Sequence, residues 1–323
     1  MEEKNMFNNY SIINTIGENL TEKKYITNPA IARDDEIKKL MIVLLTPDKS
    51  GLLVGKPGIG KTAIVEGLAY LIQKDMVPNA LKGYQIIKVN SSSLMNKVIV
   101  NGRESLIINL LMDELKNIGK VILFIDEVHT LVSSNSESPV DLANILKPSL
   151  DRGDIKAIGA TTTIEYETYV VRDRAFLRRF DKIDVLEPSQ ETTVEILLKS
   201  LPRIEYQTGI KFKYNSYVVS LLLESIVSAT SEYKRIYGLS GMYPDVSFSV
   251  LTQAFSLALL ENRKEVDISD VYNAIKISKR IYPDSIVKEL EDFRVKFKDF
   301  CFEENINLPV ITLEDLESNN EIR

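Results

Sequence analysis

Between Asn28 and about Pro188, short apolar runs alternate with stretches whose apolar residues fall at helical spacing. That alternation predicts an α/β domain, a parallel sheet flanked by helices. Strands are expected at Gly51–Val54, Ile86–Val89, Val121–Ile125 and Lys156–Ala160, each followed by a polar or Gly-containing turn and then a helix. From about 189 to 282 the strand pattern fades. Apolar residues recur every three or four positions in Thr192–Leu198, Tyr217–Ile226, Phe248–Leu260 and Val271–Ile281, which predicts a small helical domain with Ser269 as N-cap of its last helix. After Pro283 a further helix is expected, with Ile286, Leu290, Phe293, Phe297 and Phe300 at spacings of 4, 3, 4 and 3. Such a stripe has the form of a coiled-coil seam, but two heptads carry little specificity. Packing on the chain's own helical domain is the expected use. Residues 1–27 are polar and Asn-rich, with Phe7, Tyr10, Ile12 and Ile13 as apolar exceptions, and read as a short extension. The acidic tail from Glu303 to Arg323 reads as loosely held. The expected division is therefore 1–27, 28–188, 189–282 and 283–323.

Composition narrows the function classes. The 323 residues include 40 basic and 46 acidic side chains, a net charge of −6, with no basic stripe, so nucleic-acid binding is not favoured. No run of eighteen apolar residues and no signal-type apolar segment occurs, so membrane insertion is not expected and a cytoplasmic protein is. Cys301 is the only cysteine and His129 the only histidine. An intrachain disulfide is impossible, and a thiolate–imidazole metal cage is all but excluded. Cys301, outside every motif, reads as an ordinary partly buried thiol.

Two motifs carry chemistry. Gly55-Lys56-Pro57-Gly58-Ile59-Gly60-Lys61-Thr62 fits G-x-x-x-x-G-K-[ST], lies after an apolar strand and opens a helix. Glycines let the backbone curl so that several N–H groups face phosphates. Lys61 reaches the β- and γ-phosphates, and Thr62 offers its hydroxyl to Mg²⁺. The positive end of the following helix adds to the anion site. Some 60 residues on, Val121-Ile122-Leu123-Phe124-Ile125 ends in Asp126-Glu127. Two carboxylates leaving a buried strand need a cation opposite them. Asp126 is placed to hold Mg²⁺, directly or through water, and Glu127 to polarise an attacking water as general base. Together the motifs predict binding of ATP or GTP.

The residues resemble those of the Clp-type AAA+ ATPases, the unfoldases and disaggregases, and in particular their first ATPase module. Asn28 to Asp34 is similar to the family's D-P-V-I-G-R-D, and Gly60 to Ala69 matches G-K-T-A-I-V-E-G-L-A. Ile122 to Thr130 resembles I-L-F-I-D-E-x-H-T, Asn144 to Gly153 resembles N-x-L-K-P-x-L-x-R-G, and Ile158 to Thr162 matches the sensor strand. Ala175 to Phe180 resembles A-L-x-R-R-F, and Tyr243-Pro244-Asp245 extends the likeness weakly. The resemblance implies an AAA+ P-loop fold with a small helical domain, and ATP with Mg²⁺ as ligands. It implies that Ile31 and Ala32 line the adenine pocket, Ala32 standing where the family has Gly. Pro57, Gly58, Ile59, Gly60, Lys61, Thr62 and Asp126 would hold the nucleotide and its metal. Thr161, or less favourably Thr162, would be the sensor hydroxyl. Arg178 and Arg179 would be fingers reaching a neighbour's site, rather than a solvated pair on a helix end. Fingers in trans need a ring, six-membered in this family. His129 reads as fixing the strand-end turn.

Departures concern substrate handling. The family's channel loop G-A-K-Y-R-G-E-F-E corresponds to Lys97–Ser105, with Val100 in place of the aromatic, Gly102 kept, and Arg103 and Glu104 replacing Glu and Phe. Val offers far less contact area than an aromatic. The P-D-K-A stretch becomes Pro244-Asp245-Val246-Ser247, losing a cation. A recruiting N-terminal domain, a coiled-coil middle domain and a second ATPase ring find no counterpart in the sequence. The expectation is an ATP-driven ring that remodels a protein partner supplied by other means. The alternative is a scaffold whose ATP state controls ring assembly or partner binding without threading.

Overall fold

The computed structural model describes residues 12–94, 96–100, 103–132, 155–238 and 241–318. Phe7, Tyr10, Gly102 and the Asn144–Gly153 motif lie outside the described residues. By internal contacts the chain forms two compact units: one runs to Lys56 and from Gly60 to Leu186, the other comprises Pro57–Ile59 and the chain from Glu187 onward. Among the described residues, no helix is long and apolar enough to cross a membrane.

In chain order the strands of the first unit are β1 (Gly17–Asn19), β2 (Ser50–Val54), β3 (Gln85–Asn90), β4 (Lys97–Val100), β5 (Arg103–Leu106), β6 (Val121–Asp126), β7 (Lys156–Thr161) and β8 (Phe180–Asp184). Six make one sheet in the order β1-β3-β6-β7-β2-β8; β4 and β5 form a separate antiparallel hairpin. β2, β3, β6 and β7 are the expected strands, each longer by one or two residues. They are parallel, and their middle residues are buried. That is why they read as continuous apolar runs rather than as alternation.

The two sheet edges were not anticipated. β8 pairs only with β2 and alternates buried Phe180 and Ile183 with polar residues, too short a pattern to stand out. β1 has the sequence Gly-Glu-Asn and is held by antiparallel backbone pairing to β3, so the sheet is mixed rather than wholly parallel. Part of the expected extension is thus built into the sheet. A short helix, Ile12–Ile16, precedes β1 and buries Ile13; Leu20 follows it, fully buried, its N–H donating to Ile86 O. Gln73 donates to the carbonyls of Thr21 and Lys23. The helix Ile107–Ile118 buries Ile108, Leu111, Met112 and Leu115 at i, i+3, i+4 and i+7, and ends at Gly119 with φ 65°.

The second unit is helical, with a two-residue parallel strand pair, Lys211–Phe212 and Glu265–Val266. Its helices are Gln190–Thr208, Ser216–Ala229, Asp245–Leu260, Ile268–Lys276, Pro283–Lys296, Lys298–Glu303 and Leu313–Ser318. Ser189 and Asn215 cap the first two through side-chain oxygens, and Gly209 closes the first in the left-handed conformation. The N-cap expected at Ser269 is instead Asp267. Its carboxylate accepts from the N–H groups of Ser269 and Asp270, while Asp270 accepts from the Asp267 N–H. A carboxylate two residues earlier satisfies two first-turn donors at once, which the Ser269 hydroxyl, itself bonded to Asp267, does not. This helix ends at Lys276, short of the expected Ile281, which makes an isolated bridge with Arg235.

The stripe after Pro283 packs inward. Ile286, Leu290, Phe293 and Phe297 are all buried in the unit's own core, as is Cys301, and the Phe293 and Phe297 rings lie 4.4 Å apart. The tail departs from expectation. Leu308, Ile311 and Leu316 join the same core, Arg294 donates to Leu308 O at 3.2 Å, and the Tyr272 hydroxyl donates to Pro309 O at 2.5 Å. The acidic composition hid three apolar anchors spaced too irregularly for a helical pattern. Removing residues 308–323 should therefore destabilise the chain. Each buried Leu or Ile contributes at most about 1.5–3 kcal/mol, so a loss of several kcal/mol is expected in urea unfolding of the truncated against the full chain. An unchanged midpoint would mean that the tail is loosely held after all.

Candidate active site

Because β2, β6 and β7 run parallel, their carboxyl ends open on one edge of the sheet, where ligands of open α/β sheets bind. Val54 lies opposite Thr161 in register, and the Gly55 N–H donates to Thr161 O at 3.3 Å. This ties the start of the glycine-rich loop to the end of β7. Gly58 and Gly60 take φ of 78° and 97°, a region that a side chain would strain. Gly60 is the N-cap of the helix Lys61–Gln73, which has neither a side-chain cap bond nor an acidic residue in its first turn. Its first N–H groups are thus available to an anion. Ile59 is buried, whereas Pro57 and Gly58 are exposed.

Lys61 Nζ donates to the carbonyls of Gly55 at 2.8 Å and Lys56 at 3.1 Å. Burial pulls its ammonium below the ordinary lysine range, with Asp126 and Glu165 acting in the opposite sense. A partly desolvated cation facing a curled N–H-lined loop fits a phosphate chain. Thr62 Oγ1 donates to Asp126 Oδ2 at 3.3 Å, so a hydroxyl and a carboxylate converge where a hard cation would take oxygen ligands. Lys88, on β3, stands 3.8 Å from the same Asp126 oxygen. It places a second cation beside Asp126, and sequence reasoning missed it because a lone Lys in an apolar strand carries no motif.

Glu127 is exposed and has φ 54°. Its N–H donates to Asp126 Oδ1 at 3.1 Å, and its carbonyl accepts from the N–H and the hydroxyl of Thr130, both at 3.0 Å. A left-handed non-glycine residue costs about 1–2 kcal/mol, and these backbone bonds hold it there. Thr161 is buried. His129 Nδ1 lies 3.2 Å from its Oγ1, which also donates to Glu165 Oε2 at 3.2 Å. Thr162 is otherwise engaged: its hydroxyl caps the helix Thr163–Thr168 by accepting the Glu165 N–H.

Ile31 and Ala32 lie in a segment held against the Lys61–Gln73 helix. A Cβ on Gly67 would come within 2.2 Å of Ala30 Cβ, so only glycine lets the two backbones approach this closely. Asn28 Oδ1 accepts the Ala30 N–H, and buried Arg33 donates to Glu36 and to Leu186 O. Ala32 itself has φ 54°, at the position where the resembling family has Gly.

Arg178 and Arg179 are not brought to this edge. The Arg178 carbonyl accepts from Lys49 Nζ and the Arg179 carbonyl from the Ser50 N–H, at the opposite, amino end of β2. Four residue steps of strand, roughly 13 Å, separate that end from the loop. Within one chain the pair stays away from its own site.

Residues 51–188 match the family described as "ATPase family associated with various cellular activities (AAA)". The chain resembles the Clp-type AAA+ ATPases. Over 248 residues, 76% of this chain, it is 40% identical to the chaperone protein ClpB of Aquifex aeolicus, covering 24% of that protein. It is 34% identical over 276 residues to the ATP-dependent Clp protease ATP-binding subunit ClpC of Staphylococcus saprophyticus, with 82% of this chain and 32% of that protein covered. A cryo-EM structure of Hsp104 with ATPyS and FITC casein superposes with a TM-score of 0.70 at 29% identity, over 90% of this chain and 49% of that one. The S. cerevisiae Hsp104:casein complex gives a TM-score of 0.66 at 32% identity, over 80% and 44%. The chain thus spans about a quarter to a third of the length of these two curated relatives.

Two substitutions, one in the segment before the AAA match and one in the helix packed against that segment, test its geometry with opposite signs. Ala32→Gly should raise stability by about 1 kcal/mol, because it removes a left-handed alanine. Gly67→Ala should lower it by about 1–3 kcal/mol, since the added methyl meets Ala30. Thermal unfolding of both variants beside wild type decides. Destabilisation by Ala32→Gly would contradict the left-handed conformation.

Proposed function

We propose that the chain binds ATP with Mg²⁺ and hydrolyses it, acting in the cytoplasm as a ring of copies, six by resemblance, that remodels a protein partner. The observation that carries this reading is the convergence of Lys61, Thr62, Asp126, Glu127 and Thr161 at one edge of the sheet. Ile31 and Ala32 would receive the adenine. Lys61 would exchange its two carbonyl partners for β- and γ-phosphate oxygens. Thr62 and Asp126 would hold Mg²⁺, which neutralises charge on the phosphates when bound. Glu127 would take the proton of the attacking water while Thr161 orients that water. The placement of Arg178 and Arg179 at the far end of β2 supports their use in trans, where a neighbouring copy's site is the target. The relatives add support: the Hsp104 structures are described as complexes with ATPyS and with casein, a protein ligand.

The β4–β5 hairpin corresponds to the channel loop of the family and is tied by a Lys97–Glu104 ion pair at 3.0 Å. Its Ile99 is 72% exposed. An aliphatic hairpin grips a passing chain more weakly than an aromatic one, which has roughly 0.5–1.5 kcal/mol of stacking beyond its area.

Lys61→Ala should abolish nucleotide binding, while Glu127→Gln should bind ATP and turn it over very slowly; wild-type turnover by Glu127→Gln would remove the assigned general base. Arg178→Ala should keep binding and lose turnover, and mixing it with Lys61→Ala protein should restore some activity in mixed rings. A strictly monomeric chain with undiminished turnover after Arg178→Ala would exclude fingers in trans. Unfolding of a fluorescent reporter should be weak for wild type and stronger for Val100→Tyr at matched ATPase rate. No gain would favour the scaffold alternative.

A further inference from the structure

Glu165 takes no part in the chemistry assigned above, yet it occupies the point where three elements of the site meet. Its Oε2 accepts the Thr162 N–H at 3.0 Å and the Thr161 hydroxyl at 3.2 Å, and stands 3.1 Å from His129 Nδ1. Burial opposes its ionisation, but the Thr162 bonds, the neighbouring His129 and the Thr161 hydroxyl together hold the carboxyl below the usual range. The His129 ring is kept in place by stacking on Tyr169, with centroids 6.1 Å apart. His129 Nδ1 faces both a carboxylate oxygen and the Thr161 oxygen. A lone pair on that nitrogen would face the carboxylate's lone pairs, so Nδ1 carries the hydrogen. The Thr161 hydroxyl hydrogen then has one acceptor nearby, Glu165.

We infer that Glu165 is a positioning residue for the sensor hydroxyl: it takes the Thr161 hydrogen, with His129 fixed as donor, so that Thr161 presents a lone pair to the attacking water. The role rests on the ATPase reading. It gives the T-x-x-E capping box formed by Thr162 and Glu165 a second use, since one carboxylate closes a helix start and orders the residue before it. A water that donates one hydrogen to Thr161 and the other to Glu127 has its oxygen lone pair free for phosphorus.

The test uses Glu165→Gln, whose amide oxygen keeps the capping-box acceptor but removes the charge. Melting temperature and ADP affinity should stay near wild type, while kcat falls about three- to tenfold, the gap between a charge-assisted and a neutral acceptor. Thr161→Val should lower kcat by itself, and the double variant should be no worse than Thr161→Val alone, because both changes act through the one Thr161–Glu165 hydrogen bond. His129 is the only histidine, so nitrogen NMR of untagged ¹⁵N-histidine protein reads one imidazole without any turnover. Wild type should show a protonated Nδ1, and Glu165→Gln should shift toward the Nε2–H tautomer. An unprotonated Nδ1 in wild type, an unchanged kcat in Glu165→Gln, or additive losses in the double variant would overturn the role while leaving the ATPase reading intact. Absence of ATPase activity in wild type would overturn both.

Discussion

One backbone hydrogen bond, from the Gly55 N–H to the Thr161 carbonyl, joins the glycine-rich loop to the strand-end residues of the candidate site. It exists because β2 and β7 are parallel and in register from Gly51 with Ile158 to Val54 with Thr161. Parallel strands buried on both faces have little freedom to slip, since a one-residue shift would exchange the side chains packed on the two sides and disrupt both packings. The register therefore fixes where the loop begins relative to Thr161, and Asp126, at the end of β6, follows from the adjoining ladder. Lys61 and Thr62 come to the same place because a tight glycine turn leads straight from β2 into their helix.

Around that constraint the site accepts local cost. Glu127 and Ala32 are both left-handed without being glycine. Glu127 is held by three backbone hydrogen bonds, one donated to Asp126 and two accepted from Thr130, which leave its carboxylate exposed. Carboxylates at the end of an apolar strand are tolerable because Lys61 and Lys88 lie opposite them. The same logic applies at Glu165, where an N–H and a hydroxyl meet one oxygen and a histidine nitrogen faces it.

The second unit is held differently. Its helices start at Ser, Asn and Asp caps, and its core takes in both the aromatic stripe after Pro283 and the apolar anchors of the tail. No chemistry is assigned to these residues, and their patterns are those of packing.

The sequence by itself determined the four buried strands, the glycine-rich loop with Lys61 and Thr62, the Asp126–Glu127 pair and the helical character of the second unit. Each depends on local spacing: uninterrupted apolar runs for buried strands, apolar residues every three or four positions for helices, and fixed offsets between phosphate-binding residues. Only the tertiary structure decided the rest. β1 has no apolar signature and is a strand solely because β3 offers it backbone partners. The tail as far as Ser318 is ordered because three irregularly spaced apolar side chains find a core already built by others. Asp267 rather than Ser269 starts its helix, since the two are close in sequence and only the bonds made distinguish them. Lys88 and Glu165 enter the site from residues distant in sequence from Asp126 and His129, and parallel register with helix placement puts them there. Arg178 and Arg179 are kept from their own chain's site by the length of one β-strand, a separation that no motif records.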